Sequence, residues 1–140
     1  QAGLAIAPVT MPASTRTAPE AAAACGCAVA QIVKSLIFRG ARSGAPYLLL
    51  VSGANRVDEE KAALAIGEGL ERADAAFVRE RTGFAIGGVA PFGSKERLAT
   101  YYDPDLLGFA RVWAAAGTPL AVFEVAPDAL MRATGAKPLG

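Results

Sequence analysis

The run QIVKSLIF, residues 31–38, predicts a β-strand with one charged residue, Lys34, among aliphatic neighbours. Alternate residues of a strand share a face, so Lys34 is expected beside Leu36 and Phe38 rather than on a polar side. Burying a lysine in such surroundings is costly unless the ammonium finds a partner. Two interpretations stay open: Lys34 serves the function of the protein, or it lies on an edge strand, where it reaches water and discourages aggregation.

The elements around this strand predict one mixed sheet. A loop at 40–44 and a second apolar run at 47–52 indicate an antiparallel hairpin. Further strands are expected near 9–11, 98–102, 112–116 and 120–125, helices near 21–24, 57–66, 74–82 and 128–134, and one helical turn at 104–107. This irregular order favours an α/β (α+β) fold, a curved mixed sheet of about six strands with flanking helices. The length of 140 residues predicts a single domain, residues 1–140.

Composition narrows the possible partners. The chain has 14 Lys and Arg against 13 Asp and Glu, so a nucleic acid would have to be bound locally and not by a broad basic surface. We expect no DNA partner. No apolar run reaches the roughly 18 to 20 residues of a membrane span, and no signal peptide is recognisable, so a soluble cytoplasmic protein is expected. Cys25 and Cys27 are interpreted as small apolar residues in a reducing compartment.

The absence of histidine from the sequence excludes several kinds of catalysis. Neither a Ser-His-Asp triad nor a Cys-His pair can form, and zinc would find no imidazole ligand. Ser35 follows Lys34 directly, but adjacent strand residues point to opposite faces, which disfavours a Lys–Ser dyad. Any hydrolysis would therefore avoid a covalent intermediate and act by positioning and electrostatics. No metal and no cofactor is expected.

Three segments are candidates for a site. The glycine-rich loop 87–95 could offer backbone N–H groups to an anion or an oxyanion, but a plain connecting loop has the same composition. Asp103 could pair with Lys34 or orient water, or it could cap the helical turn that follows it. Thr15 and Arg16 could line a pocket or hold a phosphate, or they could form the solvated approach to a helix capped by Thr17.

In combination these segments resemble the YbaK/EbsC family of aminoacyl-tRNA deacylases, which are related to the editing domain of prolyl-tRNA synthetase. The similarity lies in the lysine strand 31–38, the loop 83–91 with its G-x-x-x-P motif from Gly87 to Pro91, the pair Tyr102-Asp103 and the turn 116–117. It extends from about residue 12 to residue 135. The segment 12–18 is most similar to stand-alone members that act on small amino acids mischarged on proline tRNA. Ala90 departs from the serine of many members.

The resemblance implies a trans-editing enzyme that hydrolyses the ester between a small amino acid (Ala, Ser, Thr, Cys or 2-aminobutyrate) and tRNA, with proline tRNA as the expected carrier. Lys34 would hold the phosphate of the terminal nucleotide or the reacting ester, and Asp103 would anchor Lys34 or the substrate amine. The oxyanion would be stabilised by the backbone of Gly87, Gly88, Val89, Ala90 and Pro91. Substrate-binding residues would be Ser14, Thr15, Arg16, Val29 and Gly117. Prolyl-tRNA synthetase is a possible partner, and a non-catalytic module that binds the tRNA acceptor end or a nucleotide is the alternative.

Overall fold

The computed structural model describes residues 9–10, 19, 22–23, 26–82, 99–115 and 121–139. Within these residues the strands are β1 (Val9–Thr10), β2 (Val33–Gly40), β3 (Pro46–Ser52), β4 (Leu70–Arg72), β5 (Ala99–Tyr102), β6 (Val112–Ala115), β7 (Ala121–Val125) and β8 (Lys137–Pro138). The α-helices are α1 (Glu59–Ile66), α2 (Ala75–Thr82) and α3 (Pro127–Thr134), and short 3-10 helices span Val29–Gln31 and Pro104–Gly108.

The strands form two sheets. The larger has the order β4-β2-β3-β5-β8, and the smaller has the order β1-β7-β6. β2 pairs antiparallel with both β3 and β4, whereas β3–β5 and β5–β8 are parallel. A parallel bridge between Ile32 and Trp113 connects the start of β2 to β6. The predicted hairpin and the mixed α/β class are confirmed, with more strands than the six expected.

The predicted elements lie within two residues of the observed ones wherever the structure describes them. α1 begins after Asp58, whose carboxylate accepts from the amide of Lys61, and it ends at Gly67, whose φ of 102° is left-handed. Such an end favours glycine, which has no Cβ to clash. The predicted helix at 21–24 is described only at Ala22 and Ala23, which are helical.

β2 is buried on both faces, which explains its almost continuous apolar sequence. Val33 and Ile37 belong to the larger core cluster together with Leu48, Leu50 and other buried residues (Val78, Leu106, Val112, Ala114, Phe123, Val125, Leu130 and Met131). The opposite face packs against α1: Phe38, Leu49 and Val51 form a second cluster with Ala62. Lys34 lies on this second face, because it alternates with Leu36 and Phe38 along the strand.

β2 is an interior strand in the order of the larger sheet, but at Lys34 one of its two sides has no pairing among the described residues. β3 pairs with β2 from Val33 to Arg39. On the other side β4 pairs with the end of β2, residues 38–40, and Trp113 bridges its start at Ile32. On this side of β2, Lys34 therefore lies between two paired positions, the bridge at Ile32 and the pairing with β4 at residues 38–40.

Candidate active site

The ammonium of Lys34 is held by a main-chain carbonyl and not by a carboxylate. Lys34 lies opposite Val51 in the β2–β3 ladder and is half-buried. Its Nζ donates a hydrogen bond to the carbonyl oxygen of Asn55, in the loop that follows β3. Among the described residues, no carboxylate forms an ion pair with this lysine. Within the described part of the chain, the positive charge therefore has no counter-charge in direct contact.

The surroundings of Lys34 disfavour its charged form. Burial lowers the pKa of the Lys34 ammonium below its usual range, and the nearby positive charge of Arg56 lowers this pKa further. The carboxylate of Asp103 acts in the opposite direction and raises it. A desolvated cation of this kind interacts more strongly with an anionic ligand than a fully hydrated lysine does.

Asp103 joins three segments that meet beside Lys34. Its Oδ1 accepts from the amide of Asp105 at 2.9 Å and so caps the 3-10 helix Pro104–Gly108. Its Oδ2 accepts from the amide of Ser52 at 3.2 Å and from Nδ2 of Asn55 at 2.7 Å. The capping interpretation of Asp103 is confirmed, and its link to Lys34 passes through Asn55.

Asn55 is the residue that the sequence analysis missed. Its side-chain amide donates to two carboxylates, Oδ2 of Asp103 at 2.7 Å and Oδ2 of Asp105 at 2.9 Å. These acceptors lie 48 and 50 residues further along the chain, so no local pattern indicates the contact. The only sequence signal is an asparagine in a short loop between a strand and a helix.

A pocket of about 400 Å³ opens next to this network. It lies between the loop after β3, the first turns of α1 and the start of the 3-10 helix at Pro104. Its apolar part is formed by Val51, Val57, Ala62 and Leu139, and its polar rim by Asn55, Arg56, Asp58, Lys61, Asp103 and Asp105, with Pro104 between them. This size suits a ligand no larger than a nucleotide or a drug-sized molecule. Lys34 is not one of the lining residues, but Asn55, whose carbonyl oxygen binds its ammonium, is.

Ser35 points away from Lys34. Its hydroxyl oxygen is buried and makes no hydrogen bond with any described residue. The predicted absence of a Lys34–Ser35 dyad is in accord with this geometry. Cys27 is a free thiol that packs against Ala22 and Ile32, and burial raises its pKa.

Most of the predicted loop residues lie outside the described part of the chain: Ser14, Thr15, Arg16, Gly87, Gly88, Val89, Ala90, Pro91 and Gly117. Val29 is described. It is the first residue of a 3-10 helix and packs in a small cluster with Ala22, Ile32, Cys27 and Trp113. This cluster joins the start of β2, two residues before Lys34, to the helical segment at Ala22.

The described residues contain no group of three or more His, Cys, Asp or Glu side chains able to hold a metal ion. No described helix is both long and apolar enough to cross a membrane.

Comparison with known proteins identifies the class of domain. Residues 12–133 match the family model of the aminoacyl-tRNA editing domain. This match covers most of the chain, so the chain belongs to the aminoacyl-tRNA editing-domain family. The relationship to aminoacyl-tRNA editing domains, expected from the lysine strand and the G-x-x-x-P loop, is thereby confirmed.

Individual relatives agree with this assignment. The fold is similar to the crystal structure of a candidate trans-editing enzyme for prolyl-tRNA synthetase, with a TM-score of 0.89 and 53% identity over 95% of this chain and 83% of that chain. The structure of the hypothetical protein APE2540 has a TM-score of 0.90 and 32% identity over 98% of this chain and 91% of that one. The uncharacterized protein YwhH of Bacillus subtilis (strain 168) is 32% identical over 117 residues, 84% of this chain and 74% of YwhH.

Proposed function

We propose that this chain is a trans-editing deacylase that removes a small amino acid from mischarged tRNA. Water adds to the carbonyl carbon of the aminoacyl ester, the bond between that carbon and the ribose oxygen breaks, and the ribose oxygen takes up a proton. The products are the free amino acid and intact tRNA. The observation that carries the proposal is a half-buried, carbonyl-held Lys34 in a domain of the aminoacyl-tRNA editing family.

Lys34 is proposed to bind an anionic part of the substrate. A lysine ammonium has three donors, and Asn55 takes one of them. The other two can reach a phosphate of the terminal nucleotide or the ester oxygen on which negative charge develops. None of the described carboxylates pairs directly with Lys34, which supports this role, because a lysine already neutralised by an ion pair would attract an anion less.

The loop residues complete the proposed site. We assign the oxyanion contacts to the backbone N–H groups of Gly87, Gly88, Val89 and Ala90, with Pro91, which has no N–H, stiffening the end of the loop. Proton transfer is left to a hydroxyl of the substrate ribose, because the chain contains no histidine. Substrate binding is assigned to Ser14, Thr15, Arg16, Val29 and Gly117, and selection of the amino acid by size to the pocket near Ser14, Thr15 and Val29. A difference of one methylene group allows only about 10- to 200-fold discrimination, so several small amino acids should be accepted.

Proline tRNA is the proposed carrier, and the narrower placement in the YbaK/EbsC group belongs to the same proposal. The similarity to a candidate trans-editing enzyme for prolyl-tRNA synthetase supports it. Prolyl-tRNA synthetase is then the expected partner, since a mischarged product leaves that enzyme before it is edited.

A non-catalytic module that binds the acceptor end or a nucleotide is the second candidate. The mixed charges of the pocket rim, Arg56 and Lys61 against Asp58, Asp103 and Asp105, favour it. Such a rim can bind a nucleotide through its phosphate and its hydroxyl groups without performing any reaction.

A substrate panel separates the two candidates. Proline tRNA charged with labelled Ala, Ser, Thr, Cys or 2-aminobutyrate is incubated with the protein, with and without prolyl-tRNA synthetase, and correctly charged prolyl-tRNA and alanyl-tRNA carrying its own anticodon serve as controls. Release of a small amino acid above the spontaneous rate supports the deacylase. Retention of the intact aminoacyl-tRNA by the protein without release supports the binding module and contradicts the enzyme.

A further inference from the structure

We propose that Asn55 is a positioning residue for Lys34, and that Asp103 and Asp105 act through it as a carboxylate clamp. The inference rests on the proposed role of Lys34 in deacylation. Asn55, Asp103 and Asp105 are called the Asn55 clamp below. Its parts come from the loop after β3 and from the first turn of the 3-10 helix Pro104–Gly108.

The clamp fixes the orientation of Asn55. A side-chain amide carries two N–H donors, and here two carboxylate oxygens lie at 2.7 Å and 2.9 Å from the one nitrogen. Hydrogen bonds to ionised acceptors are stronger than neutral ones. With both acceptors in place, the side chain of Asn55 cannot rotate without losing a bond, so the adjoining main chain is held as well.

The main-chain carbonyl of Asn55 connects the clamp to Lys34. That carbonyl accepts the hydrogen bond from Nζ of Lys34. A lysine side chain has four rotatable bonds and presents a compact point charge, so its position depends on what the ammonium contacts. The clamp therefore decides where the charge of Lys34 lies with respect to a bound substrate.

Capping alone does not account for the arrangement. Asp103 already caps the 3-10 helix through Oδ1, which leaves Oδ2 for Ser52 and Asn55. The side chain of Asp105 takes no part in that cap. Its carboxylate accepts a hydrogen bond from the side-chain amide of Asn55, the same group that donates to Asp103. Two carboxylates beside one amide nitrogen repel each other, and the nearby positive charge of Lys34, which interacts favourably with Asp103, offsets part of this repulsion. Both carboxylates are thereby tied to the residue whose carbonyl binds Lys34.

The test combines kinetics with direct titration of Lys34. The variants are Asn55→Ala and Asp105→Ala, and Asp128→Ala is the matched control, an exposed aspartate that pairs with Arg132 on α3. Single-turnover deacylation at varied protein concentration separates the maximal rate from the half-saturating concentration. The pKa of Lys34 is followed by NMR of its ¹³Cε nucleus, which needs no activity.

Asn55→Ala should lower the maximal rate by about 10- to 100-fold, since a misplacement of about 1 Å can cost about 100-fold. The half-saturating concentration should stay within about threefold, because the charge remains nearby. The pKa of Lys34 should rise toward that of an exposed lysine, because the released ammonium becomes better hydrated and moves away from Arg56. Asp105→Ala should shift both quantities in the same directions but less, and Asp128→Ala should shift neither.

The inference is overturned if Asn55→Ala keeps the wild-type rate and the wild-type pKa of Lys34, or if only the half-saturating concentration changes. Should Asn55→Ala fail to fold, Asp105→Ala decides, because it leaves the cap formed by Asp103 intact. Should the wild-type protein release no amino acid, the proposed function fails, and the NMR titration still decides whether the clamp holds Lys34.

Discussion

Asp103→Ala is expected to destabilise the fold by about 2 to 4 kcal/mol, a value that follows from the contacts of one carboxylate. Loss of the helix cap costs about 1 kcal/mol. Loss of the acceptor for the amide of Ser52, a residue that is 2% exposed, leaves a buried donor unsatisfied at about 1 to 3 kcal/mol. The bond to Asn55 adds little, because the half-buried amide keeps its bond to Asp105 and its freed N–H can be hydrated.

Urea denaturation followed by the fluorescence of Trp113, the single tryptophan, measures this loss. A destabilisation of about 3 kcal/mol corresponds to a fall in Tm of about 10 °C for a domain of this size. Asp103→Asn keeps one carbonyl oxygen as an acceptor and should lose about half as much. Asp105→Ala, which removes a single exposed contact, should lose less than about 1 kcal/mol. If Asp103→Ala were as stable as Asp105→Ala, the role assigned to Asp103 as the junction of three segments would be refuted.

Three further predictions concern the hairpin and the charge of Lys34. Glu68 accepts hydrogen bonds from Tyr47 and Ser43, which lower its pKa to about 2 from an ordinary value of 4.5. The stabilising effect of the Glu68 carboxylate is therefore complete above pH 4.5 and is lost as the pH falls toward 2. Glu68→Gln should flatten the dependence of stability on pH in that window, as measured by urea titrations between about pH 2 and 5. Gly40→Ala should destabilise the fold by less than about 1 kcal/mol, because its Cβ would lie 2.6 Å from the carboxylate of Glu68, the end of a flexible side chain that can move aside. The cost should shrink further in a Glu68→Ala background, and equal costs in both backgrounds would contradict the steric explanation. Asp103→Asn keeps an oxygen that can accept from Asn55 but removes the negative charge that raises the pKa of Lys34, so it should lower this pKa still further; an unchanged ¹³Cε titration would count against that electrostatic coupling.

The sequence was sufficient for the elements that have local signals. The hairpin from β2 to β3 follows from two apolar runs around a glycine-containing loop, and α1 follows from Asp58 at its start and Gly67 at its end. The cap formed by Asp103 is also a local signal, because the acceptor and the donor are two residues apart.

The remaining features depend on contacts that are distant in sequence. β4 has three residues, of which Glu71 and Arg72 are exposed, and β8 has two, one of them Pro138, so neither carries an apolar alternation. Both are strands because they pair with β2 and β5. The Asn55 clamp was missed for the same reason, since its carboxylates arrive from a segment about 50 residues away.

Single-turnover hydrolysis of alanyl-tRNA carrying the proline anticodon, compared between the wild-type protein and Lys34→Ala, tests the central claim most directly. Lys137→Ala, an exposed lysine of β8, is the matched control for the loss of one positive charge. The account predicts a loss of at least about 100-fold for Lys34→Ala, with a folded variant by circular dichroism and wild-type activity for Lys137→Ala. A Lys34→Ala protein that deacylates at the wild-type rate would contradict it.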